Sequence, residues 1–251
     1  MNSFIGWIGG KKLLRKSICD RFPDKIDKYV EVFGGAGWVL FYQLKHAKTE
    51  VYNDINHQLV NLFRCIKYHP DAVVQEMQYL LNSREIFNSF KAQTTENLTD
   101  IQKAARYLYL IRFSYGSKLG TFGARPRSIE NPDGFREICK RLEHVVIENK
   151  SFDALMKQYD SSDTLFYCDP PYFGTEYFYD TGTFTFDKTQ HVFLSELLAG
   201  IKGRFILSYN DCEYVRTLYR NFRIEAVERQ NSLALKNGTN NMYKELIIRN
   251  Y

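Results

Sequence analysis

Seven short runs rich in β-branched and aromatic residues alternate along most of the chain with stretches of helical periodicity. The runs are Tyr29–Phe33, Glu50–Asn53, Val145–Glu148, Leu165–Cys168, Phe205–Ser208, Arg223–Val227 and Glu245–Arg249. Helical spacing of apolar residues is found over Lys12–Arg21, Trp38–Lys45, Asn56–Tyr68, Phe152–Tyr159, Thr189–Ile201 and Glu213–Asn221. Strands that alternate with helices predict an α/β fold with a parallel, doubly wound sheet. The last two runs are joined by a polar stretch without a helix, which predicts an antiparallel hairpin at the sheet edge.

Between residues 70 and 143 the rhythm changes. Asp71–Leu81, Arg84–Ala92 and Ile101–Phe113 read as helices, followed by the loop "SYGSKLGTFGARPRSIENPDG". The expected organisation is a core made of residues 1–69 and 144–251, carrying a helical insertion at 70–143. Hydrophobic residues at 44% and charged residues at 25% are ordinary for a globular protein. A net charge of +5 is compatible with a polyanionic partner. The five cysteines are scattered without C-x-x-C spacing, and the five histidines form no ligand-spaced group, so neither a disulfide framework nor a metal site is expected. No apolar stretch reaches the length of a membrane span and the N-terminus lacks the order of a signal peptide, which makes the cytoplasm the expected compartment.

Three constellations carry chemistry. In "YVEVFGGAGWVLFYQL" a strand runs into Gly34, Gly35, Ala36 and Gly37, a turn that lets a ligand approach the backbone. The same glycines also suit a tight strand–helix turn with no ligand. In "EVYNDIN", Asp54 ends the second strand, where an acid can accept from both hydroxyls of a ribose, or cap the following helix. In "TLFYCDPPYFG" a buried strand stops at Asp169. Pro170 has no N–H but keeps a carbonyl, and Pro171 restrains the backbone that aims it. Asp169 and the Pro170 carbonyl form two adjacent acceptors beside the Tyr172 ring, a match for an exocyclic aromatic amine. Such a four-letter string arises by chance on the order of once in a thousand chains of this length, which favours function over an incidental turn.

These segments and their order resemble the Dam-like (D12) adenine-N6 DNA methyltransferases over nearly the whole chain. "GWIGGKKLL" (6–14) resembles that family's Trp-x-Gly-Gly-Lys motif, "EVFGGAG" (31–37) its cofactor loop, and "NDIN" (53–56) its ribose acid. "DPPY" (169–172) resembles the catalytic motif, and "IRFSYGSKLGTFG" (111–123) the loop before the chain returns to the core. The resemblance implies a Rossmann-like methyltransferase sheet with a helical DNA-recognition subdomain. It implies S-adenosylmethionine as cofactor, held by Trp7, Gly9, Lys11, Phe33, Gly34, Gly35, Asp54, Phe152 and Asp169. It implies a target adenine flipped from double-stranded DNA onto Tyr172, its N6 held by Asp169 and Pro170, in a bacterial or phage-infected cell. A cationic sulfonium fits the rings of Trp7 or Phe33, an interaction of roughly 0.5–2 kcal/mol, and methyl transfer by alignment needs no metal.

Two positions depart from the family pattern. Ser151 stands where the family has an acid that accepts from the cofactor's adenine, so recognition of that adenine is expected from Phe152 stacking or from a neighbour such as Asn149. Gly6 stands where some GATC-reading relatives have a basic residue, so no GATC specificity is expected. DNA contacts are expected from Arg112, Ser114, Tyr115, Lys118, Arg125 and Arg127, with Asn231, Ser232, Lys236, Asn237 and Asn240 of the hairpin loop as further candidates. The competing readings are the same chemistry on RNA and a catalytically silent DNA-binding module.

Overall fold

The computed structural model describes residues 1–124, 132–176, 185–230 and 242–251. The seven expected strands form one sheet: β1 (Lys28–Glu31), β2 (Thr49–Asn53), β3 (Val145–Glu148), β4 (Thr164–Cys168), β5 (Arg204–Asn210), β6 (Arg223–Gln230) and β7 (Met242–Arg249). Their order is β3-β2-β1-β4-β5-β7-β6. The first five strands are parallel, and β7 is antiparallel to both β5 and β6. The expected hairpin thus exists, with β6 rather than β7 at the edge. That placement follows from burial, because β7 carries Leu246, Ile247 and Ile248, all buried.

β4 is buried at every position, as a central strand covered on both faces must be. Its side chains alternate between two cores. Leu165 and Tyr167 join Tyr29 and Tyr52 on one face, while Phe166 and Cys168 join Val30 and Val51 on the other. The second face is covered by α7 (Phe152–Tyr159), α8 (Lys188–Gly200) and α9 (Glu213–Leu218), through Leu155, Leu194 and Val215.

The first face is covered by α2 (His57–Tyr68) and by helices from the 70–143 segment: α3 (Pro70–Met77), α4 (Arg84–Ala92), α5 (Asp100–Phe113) and α6 (Pro132–Leu142). α5 packs on α2, α3 and α4, and α6 on α2 and α3. Leu108, Tyr109 and Ile111 of α5 lie in the same core as Tyr29 and Tyr167, so these helices and the sheet share one hydrophobic interior. Thr99 starts α5 with a reciprocal capping box to Gln102.

Three segments differ from the sequence expectation. The helix expected over Trp38–Lys45 is only a single 3₁₀ turn, Leu40–Tyr42. Its Trp, Val, Phe and Tyr residues are weak helix formers, and burial of Val39, Leu40 and Phe41 overrides the pattern. The first helix shrinks to α1, Arg15–Cys19. Conversely, α6 starts inside the stretch read as loop. Its opening Pro-Asp-Gly looks like a turn, yet proline is well placed in a first helical turn, and Phe135, Ile138 and Leu142 supply a buried stripe. Among the described residues no helix is long and apolar enough to cross a membrane.

α6 is tied to the sheet by a buried ion pair. The Arg141 guanidinium donates to both carboxylate oxygens of Glu50 on β2 at 2.8 Å, and to the carbonyls of Leu40 and Gln43. Removing one member of such a pair strands the other charge in the interior. Arg141→Ala is expected to destabilise the protein by about 3–5 kcal/mol. Urea denaturation followed by circular dichroism measures this.

Candidate active site

β1 and β4 are neighbours, and the chain leaves them towards opposite sides of the sheet. Their carboxyl ends therefore flank the topological switch point, where open α/β sheets bind ligands. A cavity of about 370 Å³ opens there. Trp7, Lys11, Phe33, Gly34, Gly35, Asp54, Phe152 and Asp169 line it, as do Ser151 and Lys118. Gly9, Pro170 and Tyr172 stand behind the lining.

The glycine turn after β1 is required by contact on both sides. A Cβ on Gly34 would meet the Tyr52 ring at 2.3 Å, and one on Gly35 the Trp7 indole at 2.9 Å. Gly35 also has φ of +50°, which side-chain-bearing residues rarely adopt. Its N–H donates to Asp54 Oδ2 at 2.8 Å, and Asn56 N–H donates to Oδ1 at 2.8 Å. The cap of α2 is Asn56, whose side chain accepts from Gln58 and Leu59 N–H. Asp54 is therefore not the helix cap. Both its oxygens are oriented by backbone donors and keep lone pairs for the cavity. Burial pushes its carboxyl above the usual range, and the donors from Asn56 and Gly35 oppose that rise.

At the far end of the cavity Phe33, Phe152 and Phe186 form an aromatic cluster, with centroids 5.7–5.9 Å apart. Ser151 precedes α7 without capping it by its side chain. The Asn149 amide donates to the Asp54 carbonyl at 2.7 Å, which binds the third strand end to the second.

At the end of β4, Asp169 Oδ1 accepts from the Lys11 ammonium at 2.7 Å and from Ser208 Oγ at 2.9 Å. Asp169 Oδ2 has no partner among the described residues. Burial pushes the Asp169 carboxyl above the usual aspartate range, and the Lys11 ammonium opposes it. Lys11 is itself buried. It donates to the Gly9 carbonyl at 2.8 Å, lies 3.9 Å from Glu245 Oε2 and sits 4.6 Å from the centre of the Tyr172 ring. The Tyr172 hydroxyl donates to Glu245 Oε2 at 2.6 Å, and its ring stacks on Tyr209 with centroids 5.5 Å apart. Tyr209 is bonded through its hydroxyl to His191 Nδ1, and His191 Nε2 meets Glu176 at 2.9 Å. His191 is a fully buried link in this chain.

Several of these groups escaped the sequence reading. Glu31, on β1, lines the cavity and accepts from the Tyr29 hydroxyl at 2.7 Å. Burial pushes its carboxyl up to about 8, although the bonds from Tyr29 and the Leu40 backbone pull the other way. Glu245 sits inside the apolar run of β7. In both cases the available signal was an acid within a strand otherwise fit for burial.

The residues expected at DNA are placed unevenly. Tyr115 is 64% exposed and Lys118 lines the cavity mouth. Arg112 instead turns inward, donating to the Phe4 carbonyl at 3.4 Å and lying over Phe135. Ser114 is fully buried, its hydroxyl donating to the Ile111 carbonyl. Arg112 lies in the last turn of α5 and Ser114 caps it, so both make contacts with the protein's own backbone. Arg125 and Arg127, and Asn231, Ser232, Lys236, Asn237 and Asn240, lie outside the described residues. Among the described residues no group of three or more potential metal ligands is found.

Comparison with known proteins adds an independent finding. Residues 7–233 match the family model for the D12 class N6 adenine-specific DNA methyltransferases. The retron Ec67 DNA adenine methylase of Escherichia coli is 27% identical, over 98% of this chain and 90% of its own length. The DNA adenine methylase of Escherichia coli K12 is 26% identical, over 98% and 94%. The type II methyltransferase M.CviBI of Paramecium bursaria Chlorella virus NC1A is 25% identical, over 95% and 94%. The seven-stranded sheet, the cavity at its switch point and the match across residues 7–233 agree: this chain belongs to the D12 class of N6 adenine-specific DNA methyltransferases.

Proposed function

We propose that the cavity holds S-adenosylmethionine and that Asp169, Pro170 and Tyr172 hold the N6 amine of an adenine flipped out of double-stranded DNA. The observation that carries this reading is the state of Asp169. One carboxylate oxygen is fixed by Lys11 and Ser208, and the other has no partner among the described residues, at the edge of the cavity. That is an acceptor held in place and awaiting a donor.

The residues fit the cofactor. Asp54, with both oxygens oriented by backbone N–H groups, offers acceptors for the two ribose hydroxyls. The turn at Gly34 and Gly35 leaves room for close approach, and Trp7 and Phe33 supply ring faces for a cationic centre. Phe152 provides a flat apolar wall for the adenine of the cofactor. When bound, S-adenosylmethionine supplies the methyl group on a positively charged sulfur. Lys11 and Gly9 act through Asp169, holding its carboxylate in one orientation. Asp169 and the Pro170 carbonyl accept the two N6 hydrogens, which draws the nitrogen lone pair out of ring conjugation and towards the methyl carbon. Tyr172, fixed through its hydroxyl and stacked on Tyr209, offers a rigid aromatic surface to the base.

Tyr115 and Lys118 are the described residues best placed to meet the duplex, and Arg125 and Arg127, outside the described residues, follow them in the sequence. The compartment is the cytoplasm of a bacterial or phage-infected cell, where the DNA substrate resides. Expression in a host without adenine methylation, followed by mapping of N6-methyladenine, tests activity and target together. Methylation confined to RNA would overturn the reading.

Asp169→Ala is expected to lower kcat by about a thousandfold or more while cofactor binding persists, since it removes the acceptor and not the pocket. Asp54→Ala should act in the opposite way, weakening S-adenosylmethionine roughly 10- to 100-fold in calorimetry. The acid limb of kcat/KM reports the free enzyme. Because burial raises the Asp169 carboxyl, that limb should lie above the ordinary aspartate value of about 3.9, with activity lost as pH falls through it.

A further inference from the structure

Glu245 is a buried acid on β7, far from every sequence motif, yet it touches the site twice. Its Oε2 accepts the Tyr172 hydroxyl at 2.6 Å and stands 3.9 Å from the Lys11 ammonium. On the strand it pairs with Asn210 of β5 on one side and Val227 of β6 on the other, so its backbone is held from both flanks. A carboxylate at 2% exposure would ordinarily cost several kcal/mol, and the sheet would pack as well around a hydrophobic residue.

Charge counting gives the acid a purpose. Lys11 and Asp169 alone form a neutral pair, and a neutral pair does little for a cation developing beside it. During methylation the N6 lone pair forms the new nitrogen–carbon bond, and the electrons of the breaking sulfur–carbon bond stay on sulfur. Positive charge therefore passes to N6 and is discharged when one N6 proton leaves for solvent. With Glu245 the trio Lys11, Asp169 and Glu245 carries a net negative charge, which favours that transfer.

We infer that Glu245 is a positioning residue for the target base: it sets a second carboxylate beside the neutral Lys11–Asp169 pair and pins the Tyr172 ring through its hydroxyl. This rests on the reading of Asp169 and Tyr172 as the holders of adenine. The carboxylate acts through Lys11 and Tyr172 and does not itself reach the reacting atoms.

Glu245→Gln retains an acceptor for the Tyr172 hydroxyl and removes only the charge. With the full-length protein and an adenine-containing duplex, kcat is expected to fall roughly 10- to 100-fold, the effect of one charge a few ångströms away at the effective dielectric of a protein interior. The Kd for S-adenosylmethionine, measured by calorimetry, should stay within about twofold because the cofactor's contacts are elsewhere. Glu245→Asp keeps the charge and should retain at least about a third of wild-type kcat. A glutamine variant within twofold of wild-type kcat, or an aspartate variant as impaired as the glutamine one, overturns the inference. Should Glu245→Gln fail to fold, Glu245→Asp decides alone, with a kcat below about a tenth of wild type as the refuting result. Asp169→Ala separates the two levels: if it stays active, the reading of the site is wrong, whereas an inactive Asp169→Ala beside a fully active Glu245→Gln refutes only the role of Glu245.

Discussion

The pairing of β1 with β4 is the constraint from which the rest of the site follows. Glu31 lies opposite Tyr167, and Val32 N–H donates to the Tyr167 carbonyl at 2.9 Å. With that rung in place, the next residues to emerge from the two strands are Phe33 and Asp169. The glycine turn and Asp169 are thus adjacent by register, before any side chain is considered. β2 pairs on the other side of β1, so Asp54 emerges one strand further along the same edge. Parallel strands alone permit this, because all their carboxyl ends point the same way.

A second consequence is electrostatic. Asp169 and Glu245 converge on one buried lysine, Glu31 lines the same cavity as Asp169, and each unpaired acid would carry a desolvation cost. The protein meets that cost in three different ways. Asp169 is paired with Lys11 and Ser208. Glu245 accepts a hydroxyl. Burial pushes Glu31 up to about 8 against the pull of the Arg141 guanidinium, so it holds its proton at neutral pH. Three acids of one chemical class are therefore accommodated in three different ways around one site, a pattern more typical of chemistry than of packing.

Much of this was legible in the sequence because the informative residues are punctuation. Glycines at 34 and 35, Asp54 after a strand, and Asp169 before two prolines each break a periodic run, and such breaks fall at strand ends. The strands were equally readable, since β-branched and aromatic runs of that length have few other uses. What escaped notice is what tertiary context decides. Glu245 sits mid-strand and Glu31 closes β1, where only the neighbours across the sheet reveal a role. Arg112 and Ser114 look like part of a basic loop until the last turn of α5 directs them inward. α6 was hidden by a Pro-Asp-Gly opening that signals a turn and a helix start alike.

The shared interior of the sheet and the helical segment carries a mechanical implication. Asn56 caps α2, its backbone N–H orients Asp54, and its amide donates to the Tyr107 hydroxyl of α5 at 3.0 Å. One residue therefore touches Asp54, a helix of the sheet layer and a helix of the 70–143 segment. α5 leads directly into the loop that bears Tyr115 and Lys118, and that loop closes back on the helix end through Gly123 N–H to the Phe113 carbonyl. Ser117 and Leu119 hold φ near +60° within it, a conformation side-chain-bearing residues adopt at a cost. The same loop supplies Ser117, Lys118 and Leu119 to the cavity wall. Under the proposed function, a duplex pressing on the loop would thus bear on the cavity through α5 and Asn56, so filling one is expected to change the order of the other without any rearrangement of the sheet.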